Sequence, residues 1–331
     1  MKIVVLTHLE KEGSDKIDPV VRGVADALVA GGHEASILAV HADLEQFVRG
    51  LTQPAPDLVF NLMETFGKSQ LGLVGVAGLL DLIGVPYVGC GPGEFYLQED
   101  KGLTKKLLAF DGIRYPDFAV FGRELEDVDA GNLRMPLIVK PLRMDASIGI
   151  DAKAIVTTIE DMRERVAMIH KKIRDAALVE EYIEGREFYV GILGNREPLA
   201  LPPIEIDFSG LPEGAPRILD HRAKWVRSSV EFKGTKAVVA QVPEDLGARL
   251  RDSALAAYRA LRVRDYGRID MRLTPEGELY VIEVNASCYL QKSGEFAMSA
   301  AAAGIDYPTL VNRIVEVALE RGRLPKAARA T

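Results

Sequence analysis

The 331-residue chain is poor in several things, and each scarcity removes a class of function. It has only two cysteines, Cys90 and Cys288, far apart in sequence, too few for a disulfide framework or a zinc site. The five histidines (His8, His33, His41, His170, His221) show no metal-ligand or triad spacing. Positive charge is not in excess: Lys plus Arg minus Asp plus Glu is 41 − 48 = −7, which argues against a nucleic-acid surface. No apolar run approaches the roughly 20 residues that span a bilayer. Met1-Lys2 leads straight into Ile3–Leu6, so no removable leader is expected, and the expected compartment is the cytoplasm. What remains is a globular, enzyme-sized protein with 48% apolar residues and room for two or three domains.

The first 89 residues alternate strand and helix. Ile3–Leu6, Ala35–Val40, Leu58–Leu62 and Pro86–Val88 read as short strands. Asp18-Pro19 starts a helix with Val20, Val21, Val24, Ala27 and Leu28 on one face and Gly31-Gly32 as its stop, and Leu71–Ile83 is a second helix. This is an open α/β unit with a mostly parallel sheet. Gly89-Cys90-Gly91-Pro92-Gly93 is not a dinucleotide fingerprint, because Pro92 interrupts it, the third glycine is missing, and Thr7-His8-Leu9-Glu10 follows the first strand. Asp100-Lys101 opens a basic helix to about Phe110, Ile113 to Phe118 reads as loop and strand, and Pro136–Pro141 is a buried strand carrying Lys140. A helix over about 159–175 precedes Ala177–Ile183, then the turn Glu184-Gly185 and the strand Phe188–Leu193. Residues 202–236 hold many Pro, Gly and charges with little periodicity, and are expected to form a long mobile loop of functional importance. A last helix spans about Pro308–Arg321, with Leu310, Ile314, Val317 and Ala318 inward, and a disordered basic tail is expected after it.

The chemistry concentrates near the end. In Arg268-Ile269-Asp270-Met271-Arg272-Leu273 apolar and charged residues alternate with the period of a half-buried strand. Pro275-Glu276-Gly277-Glu278 supplies a turn, and Leu279 to Val284 returns. A four-residue loop would set Asp270 opposite Glu283, with Asn285 on the same face. Carboxylates paired across a ladder lie roughly 5 Å apart and repel. A hard divalent cation such as Mg²⁺, which takes few protein oxygens, would reconcile them. An exposed charged hairpin is the alternative.

In order along the chain stand Lys101, Lys140, Glu180, Glu187, Asp270, Glu283 and Asn285. With Val139-Lys140-Pro141, the run Leu178–Phe188, Arg268-Ile269-Asp270 and Glu283-Val284-Asn285, the chain from about Phe60 onward resembles the ATP-grasp superfamily, and within it the D-alanine–D-alanine ligases. The resemblance implies a mixed α/β, in part α+β, protein of three domains: an N-terminal open α/β domain (1–89), a central lid domain (90–183) and a C-terminal domain (184–331), with ATP between the last two. It implies that Lys101 and Lys140 contact ATP phosphates. Glu180 with the backbone of Glu181 and Ile183 would hold adenine, and Glu187 the ribose. Asp270, Glu283 and Asn285 would ligate two Mg²⁺, or Mn²⁺ in their place. Arg268 would steady the acyl-phosphate, and Lys224 would be the mobile-loop lysine. Such an enzyme joins a small-molecule carboxylate to an amine through an acyl-phosphate, and relatives form homodimers.

The departures from that pattern fall on substrate contacts. Where the family links a glutamate, a serine and a tyrosine around the first D-alanine, this chain has the unalignable segment Leu6–Gly13, then Ala146 and Trp225; Ser147, the next serine of the pair, is retained. Glu64 replaces a histidine and offers an anchor for an amine. After Asn285 the family's Thr-x-Pro-Gly-Met-Thr is replaced by Ala286-Ser287-Cys288-Tyr289-Leu290-Gln291, and Ser293 matches an acceptor-binding serine after a one-residue gap. Cys288 is read as a packed thiol. The reading is an ATP-dependent carboxylate–amine ligase with a donor other than D-alanine. The alternatives are an authentic D-alanine–D-alanine ligase and a non-catalytic ATP-binding regulator.

Overall fold

The computed structural model describes residues 1–14, 16–53, 55–69, 71–124, 128–144 and 147–322; Ala146 and the basic tail lie outside them. The chain opens with β1 (Lys2–His8), α1 (Pro19–Ala30), β2 (Glu34–Val40), α2 (Leu44–Thr52), β3 (Leu58–Leu62), α3 (Gly72–Ile83) and β4 (Tyr87–Val88). These four strands form a wholly parallel sheet in the order β2-β1-β3-β4. The start of α1 is fixed by Asp18, whose carboxylate accepts the Val20 N–H (2.8 Å), with Pro19 in the first turn. Helices α4 (Pro92–Glu99) and α5 (Lys101–Phe110) follow, α5 capped by Asp100 through the Leu103 N–H.

A second, antiparallel sheet comprises β5 (Phe118–Phe121), β6 (Leu137–Pro141), β7 (Ile155–Val156) and β8 (Ala177–Glu181), ordered β5-β8-β6-β7, with α6 (Ile159–Met168) on it. The α-helical part stops at Met168 and continues as one π turn, Ile169–Ile173, so the helix is shorter than its periodicity suggested. This sheet has its own core, in which Leu137, Val139 and Val179 meet Met162 and Val166.

The third sheet is built from β9 (Arg186–Leu193), β10 (Leu199–Ala200), β11 (Ile204–Asp207), β12 (Lys236–Val239), β13 (Tyr266–Leu273) and β14 (Leu279–Asn285). Its order is β12-β11-β9-β13-β14, with β10 against β9, and every pairing is antiparallel. Between strands lie α7 (His221–Trp225), α8 (Val230–Gly234) and α9 (Glu244–Ala260); α10 (Glu295–Ala302) and α11 (Tyr307–Gly322) close the described chain. A Cβ at Gly185 would collide with the Leu273 carbonyl, so the turn into β9 requires glycine. The first and third sheets share their cores: Met63, Leu80 and Phe95 cluster with Phe188, Tyr258 and Ile269. Helices α1, α10 and α11 fill the opposite side. Among the described residues no helix is long and apolar enough to cross a membrane.

Three expectations change here. Residues 202–236 are not a bare loop: β11 pairs with β9 and β12, and Asp220 and Ser229 cap α7 and α8 through the Ala223 and Phe232 N–H groups. Two five-residue helices are too short to show a period, which is why composition alone suggested a loop. Strand β13 is buried on both faces, because its charged face is covered by ion partners rather than by water. The hairpin closes on three residues, not four: Thr274 N–H donates to the Glu278 carbonyl (2.9 Å) around Pro275–Gly277. That turn alone would set Asp270 opposite Ile282. A β-bulge after Asp270 shifts the register by one and restores Asp270 opposite Glu283.

The seam between the first and third sheets is tied by one carboxylate. Asp265 is fully buried and accepts from the Gly89 N–H (2.7 Å), the Asn195 amide (3.0 Å) and Arg321 of α11 (3.0 Å). Burial pushes its pKa up, although Arg321 and these donors oppose the shift. Asp265→Ala leaves an uncompensated guanidinium and two orphaned donors, and should cost about 3 kcal/mol. Urea unfolding of the variant checks this; a loss below about 1 kcal/mol would show that the seam does not depend on Asp265.

Candidate active site

Two adjacent strands of the central sheet place the first charges. Ile138 pairs with Glu180, so Lys140, two residues on, leaves β6 from the same face as Glu180 leaves β8. Opposite them, α5 presents Lys101 and Lys105, one helical turn apart on one face. The Glu180 carboxylate lies between two ammonium groups, with Lys140 Nζ at 2.5 Å and Lys105 Nζ at 2.8 Å. Burial would raise the Glu180 carboxyl, but Lys105 and Lys140 outweigh it and hold it below the usual range. Lys105 is pushed down, chiefly by burial, against the pull of Glu180. Lys101 donates to the Met144 carbonyl (3.0 Å) and reaches to 3.6 Å from Glu283.

The β13–β14 hairpin brings the opposite charges. Asp270 faces Glu283, and Arg268 faces Asn285. Arg268 donates to both Asp270 oxygens (2.7 and 2.9 Å), lies over the Tyr189 ring (4.3 Å) and is 3.7 Å from Glu295 at the start of α10. The Asn285 amide donates to Asp270 (3.1 Å), which leaves its oxygen for another partner. The pKa of Asp270 is pushed up to about 6, first by burial and further by Glu283, with Arg268 opposing. Burial would raise Glu283 too, but Lys101, Lys140 and Lys224 bring it down to about 2. Two carboxylates and an amide oxygen are hard donors of the kind that suit Mg²⁺, and cations stand ready on both sides for phosphate.

Other candidate residues are already engaged within the protein. Glu187 is buried and accepts from the Tyr189 hydroxyl (2.8 Å) and from Arg272 (2.6 and 3.1 Å). Arg272 also donates to the Ile183 carbonyl (2.9 Å) and to that of Arg217. The side chain of Glu181 points to the other face of β8, away from Glu180 and Lys140, and takes a two-pronged contact from Arg134 (2.9 and 2.7 Å). Ser147 adopts a left-handed conformation (φ 59°) and donates to the Leu219 carbonyl (2.8 Å). With the Ile150 carbonyl accepting from the His221 N–H (3.4 Å), this docks the loop after β6 onto the segment that carries Lys224 and Trp225. Trp225 lies against Tyr289, and Tyr289 donates to Asp18. Glu64 is exposed just past β3; Ser293 is exposed beside the cap of α10. Cys288 is buried, and burial pushes its thiol up to about 12, which makes it a packing residue.

Lys105, Tyr189 and Arg272 were not singled out in the sequence. Lys105 could have been found at four residues from Lys101, and Arg272 from its alternation with Asp270. Tyr189 carries no sequence signal, since its role comes from pairing opposite Asp270.

Residues 107–316 match the family model described as D-ala D-ala ligase C-terminus. The D-alanine–D-alanine ligase of Desulforudis audaxviator is 33% identical over 308 residues, covering 91% of this chain and 92% of that protein. The uncharacterised protein y4sG of Sinorhizobium fredii is 33% identical over 307 residues, covering 90% and 88%. A solved D-alanine–D-alanine ligase of Bacillus anthracis superposes with a TM-score of 0.75 at 25% identity, covering 97% of this chain and 98% of that one.

Glu180→Gln removes the anion between two buried lysines and should destabilise the protein by about 3 kcal/mol. Chemical denaturation at pH 7 tests it. A change near zero would mean that Lys105 is uncharged and that the paired geometry does not carry stability.

Proposed function

The chain belongs to the D-alanine–D-alanine ligase family, and from that premise we propose that it activates a donor acid other than D-alanine and couples it to an amine. The protein is an ATP-dependent ligase that forms a carbon–nitrogen bond. The observation that carries the phosphoryl-transfer chemistry is the convergence of Lys101, Lys140 and Lys224 on the opposed pair Asp270 and Glu283. In the proposed reaction a donor carboxylate oxygen attacks the γ-phosphorus of ATP, the bond to the ADP oxygen breaks, and an acyl-phosphate forms. An amine then attacks the acyl carbon, loses a proton, and inorganic phosphate departs.

In this reading Lys101, Lys140 and Lys224 hold the phosphates, and Arg268, braced by Asp270, Glu295 and the Tyr189 ring, faces the oxygen that becomes negative. Asp270, Glu283 and Asn285 would hold Mg²⁺, two ions with Mn²⁺ as a substitute, which supplies charge neutralisation when bound. Purine contacts come from the backbone of Glu181 and Ile183. Ribose is assigned to Glu187, which Tyr189 and Arg272 hold in place; Glu180, expected from the resemblance to hold adenine, is taken up by Lys105 and Lys140 and in this reading places Lys140. The phosphate loop contributes Ser147, and the acceptor meets Ser293. We further expect a cytoplasmic homodimer of three domains, divided near residues 89 and 183.

The choice of donor rests on Glu64 and Trp225. Without the family's tyrosine and serine, an ammonium bound as D-alanine's is would lose hydrogen bonds worth about 1–3 kcal/mol each. Relatives of equal identity include both a named D-alanine–D-alanine ligase and y4sG, so identity does not select the donor. An authentic D-alanine–D-alanine ligase is the second reading, favoured by the name of that ligase relative.

Saturating MgATP at about 100 times its dissociation constant should stabilise the protein by about 2.7 kcal/mol. Calorimetry and thermal melts read this directly, and no binding would contradict the ATP site. Asp270→Asn and Glu283→Gln should each lower turnover roughly 100-fold or more with the fold intact. Near wild-type rates at ordinary Mg²⁺ would remove that residue from the metal set. A phosphate-release screen over amino acids and dipeptides should show poor turnover with D-alanine alone; robust D-alanyl-D-alanine synthesis would establish the second reading instead.

A further inference from the structure

Beside the lysine that faces the opposed carboxylates, three remote chain segments meet on one aromatic pair. Trp225 follows Lys224 at the end of α7 and keeps 52% of its surface exposed. Its indole meets the ring of Tyr289 edge-on, with centroids 6.5 Å apart. Tyr289 stands four residues beyond Asn285, and its hydroxyl donates to the Asp18 carboxylate, 2.9 and 2.8 Å from the two oxygens. Asp18 is itself fixed, because it also caps α1. Glu64 lies near enough for its charge, after burial and Asp18, to help raise the pKa of the Tyr289 hydroxyl.

A tyrosine whose hydroxyl is tied at its far end is restrained from swinging aside, so its ring serves as a wall. Fixed apolar walls discriminate by shape: one methylene gained or lost in such a pocket changes selectivity about 10- to 200-fold. The half-exposed indole offers an aromatic surface that a methyl group would scarcely cover. Asp18 and Glu64 put two negative charges at the same rim, which favours an ammonium and opposes a second carboxylate.

Resting on the ligase reading above, we propose that Tyr289, latched by Asp18 and backed against Trp225, is the specificity-determining residue for the donor. The donor class is an amino acid with one carboxylate, a protonated amine and an apolar side chain larger than methyl. Tyr289 positions and selects; it takes no part in bond making.

Trp225 is the only tryptophan of the chain, so its fluorescence reports this site without any turnover. The full-length protein with MgADP is titrated with large apolar amino acids of both configurations, with D-alanine and with glutamate. Large apolar amino acids of one configuration should change the emission at concentrations at least about tenfold lower than D-alanine, and glutamate should not change it. Tyr289→Phe, which keeps the ring and loses the latch, should weaken the preferred amino acid about threefold to tenfold. Tyr289→Gly should reduce the preference over D-alanine at least about tenfold, with MgADP affinity measured by calorimetry unchanged. An unchanged preference in Tyr289→Gly, or glutamate and D-alanine acting as well as the large amino acids on the wild type, would overturn this proposal alone. Failure of MgADP to bind the wild type would overturn it together with the ligase reading.

Discussion

Two carboxylates held opposite each other across a half-buried ladder would push β13 and β14 apart unless cations answered them. Asp270 and Glu283 are in that position, and the answer comes from every side of the molecule. Arg268 comes from the same strand, Lys101 from α5, Lys140 from the central sheet and Lys224 from α7. The cluster is thus a meeting point of the central sheet, the third sheet and the helix between them. A site held this way has a surplus of positive charge on one flank and oxygen donors on the other, which is the division of labour that a polyphosphate with its metal requires.

The same logic, an ion buried only with its partners, recurs at the supports. Glu180 holds Lys140 and Lys105 at fixed separation, so α5 and β6 cannot shift independently. Arg272 joins Glu187, the Ile183 carbonyl and the Arg217 carbonyl, tying β9, the strand crossover and the segment over the site. Asp265 does this for the seam between the first and third sheets. Buried ions contribute little net stability but penalise every arrangement that separates them. They therefore specify geometry more than they strengthen the fold.

Much of this was legible in the sequence where a local rule sufficed. Asp18-Pro19 and Asp100-Lys101 announced helix starts through capping chemistry, and the alternation in Arg268–Leu273 announced a strand. The opposition of Asp270 and Glu283 was anticipated through the wrong turn, because a three-residue turn and a bulge offset one another and neither leaves a separate mark in composition. Helix α9 was overlooked although Leu246, Leu250, Ala254 and Ala257 carry a helical period and Glu244-Asp245 an acidic first turn. Its signal was masked by the proline-rich and charged segment before it. The partnerships of Tyr189 with Arg268, of Arg134 with Glu181 and of Tyr289 with Asp18 join residues up to 271 apart in sequence, and only the fold creates them.

The central claim is that a donor carboxylate is phosphorylated at this cluster before the amine attacks it. It is tested most directly with donor acid labelled with ¹⁸O in its carboxylate, using whichever acid supports phosphate release, followed by mass spectrometry of the phosphate. Transfer through an acyl-phosphate predicts one labelled oxygen in each phosphate released, in step with product. Unlabelled phosphate, with three oxygens from ATP and the fourth from solvent, while product forms, would contradict the account.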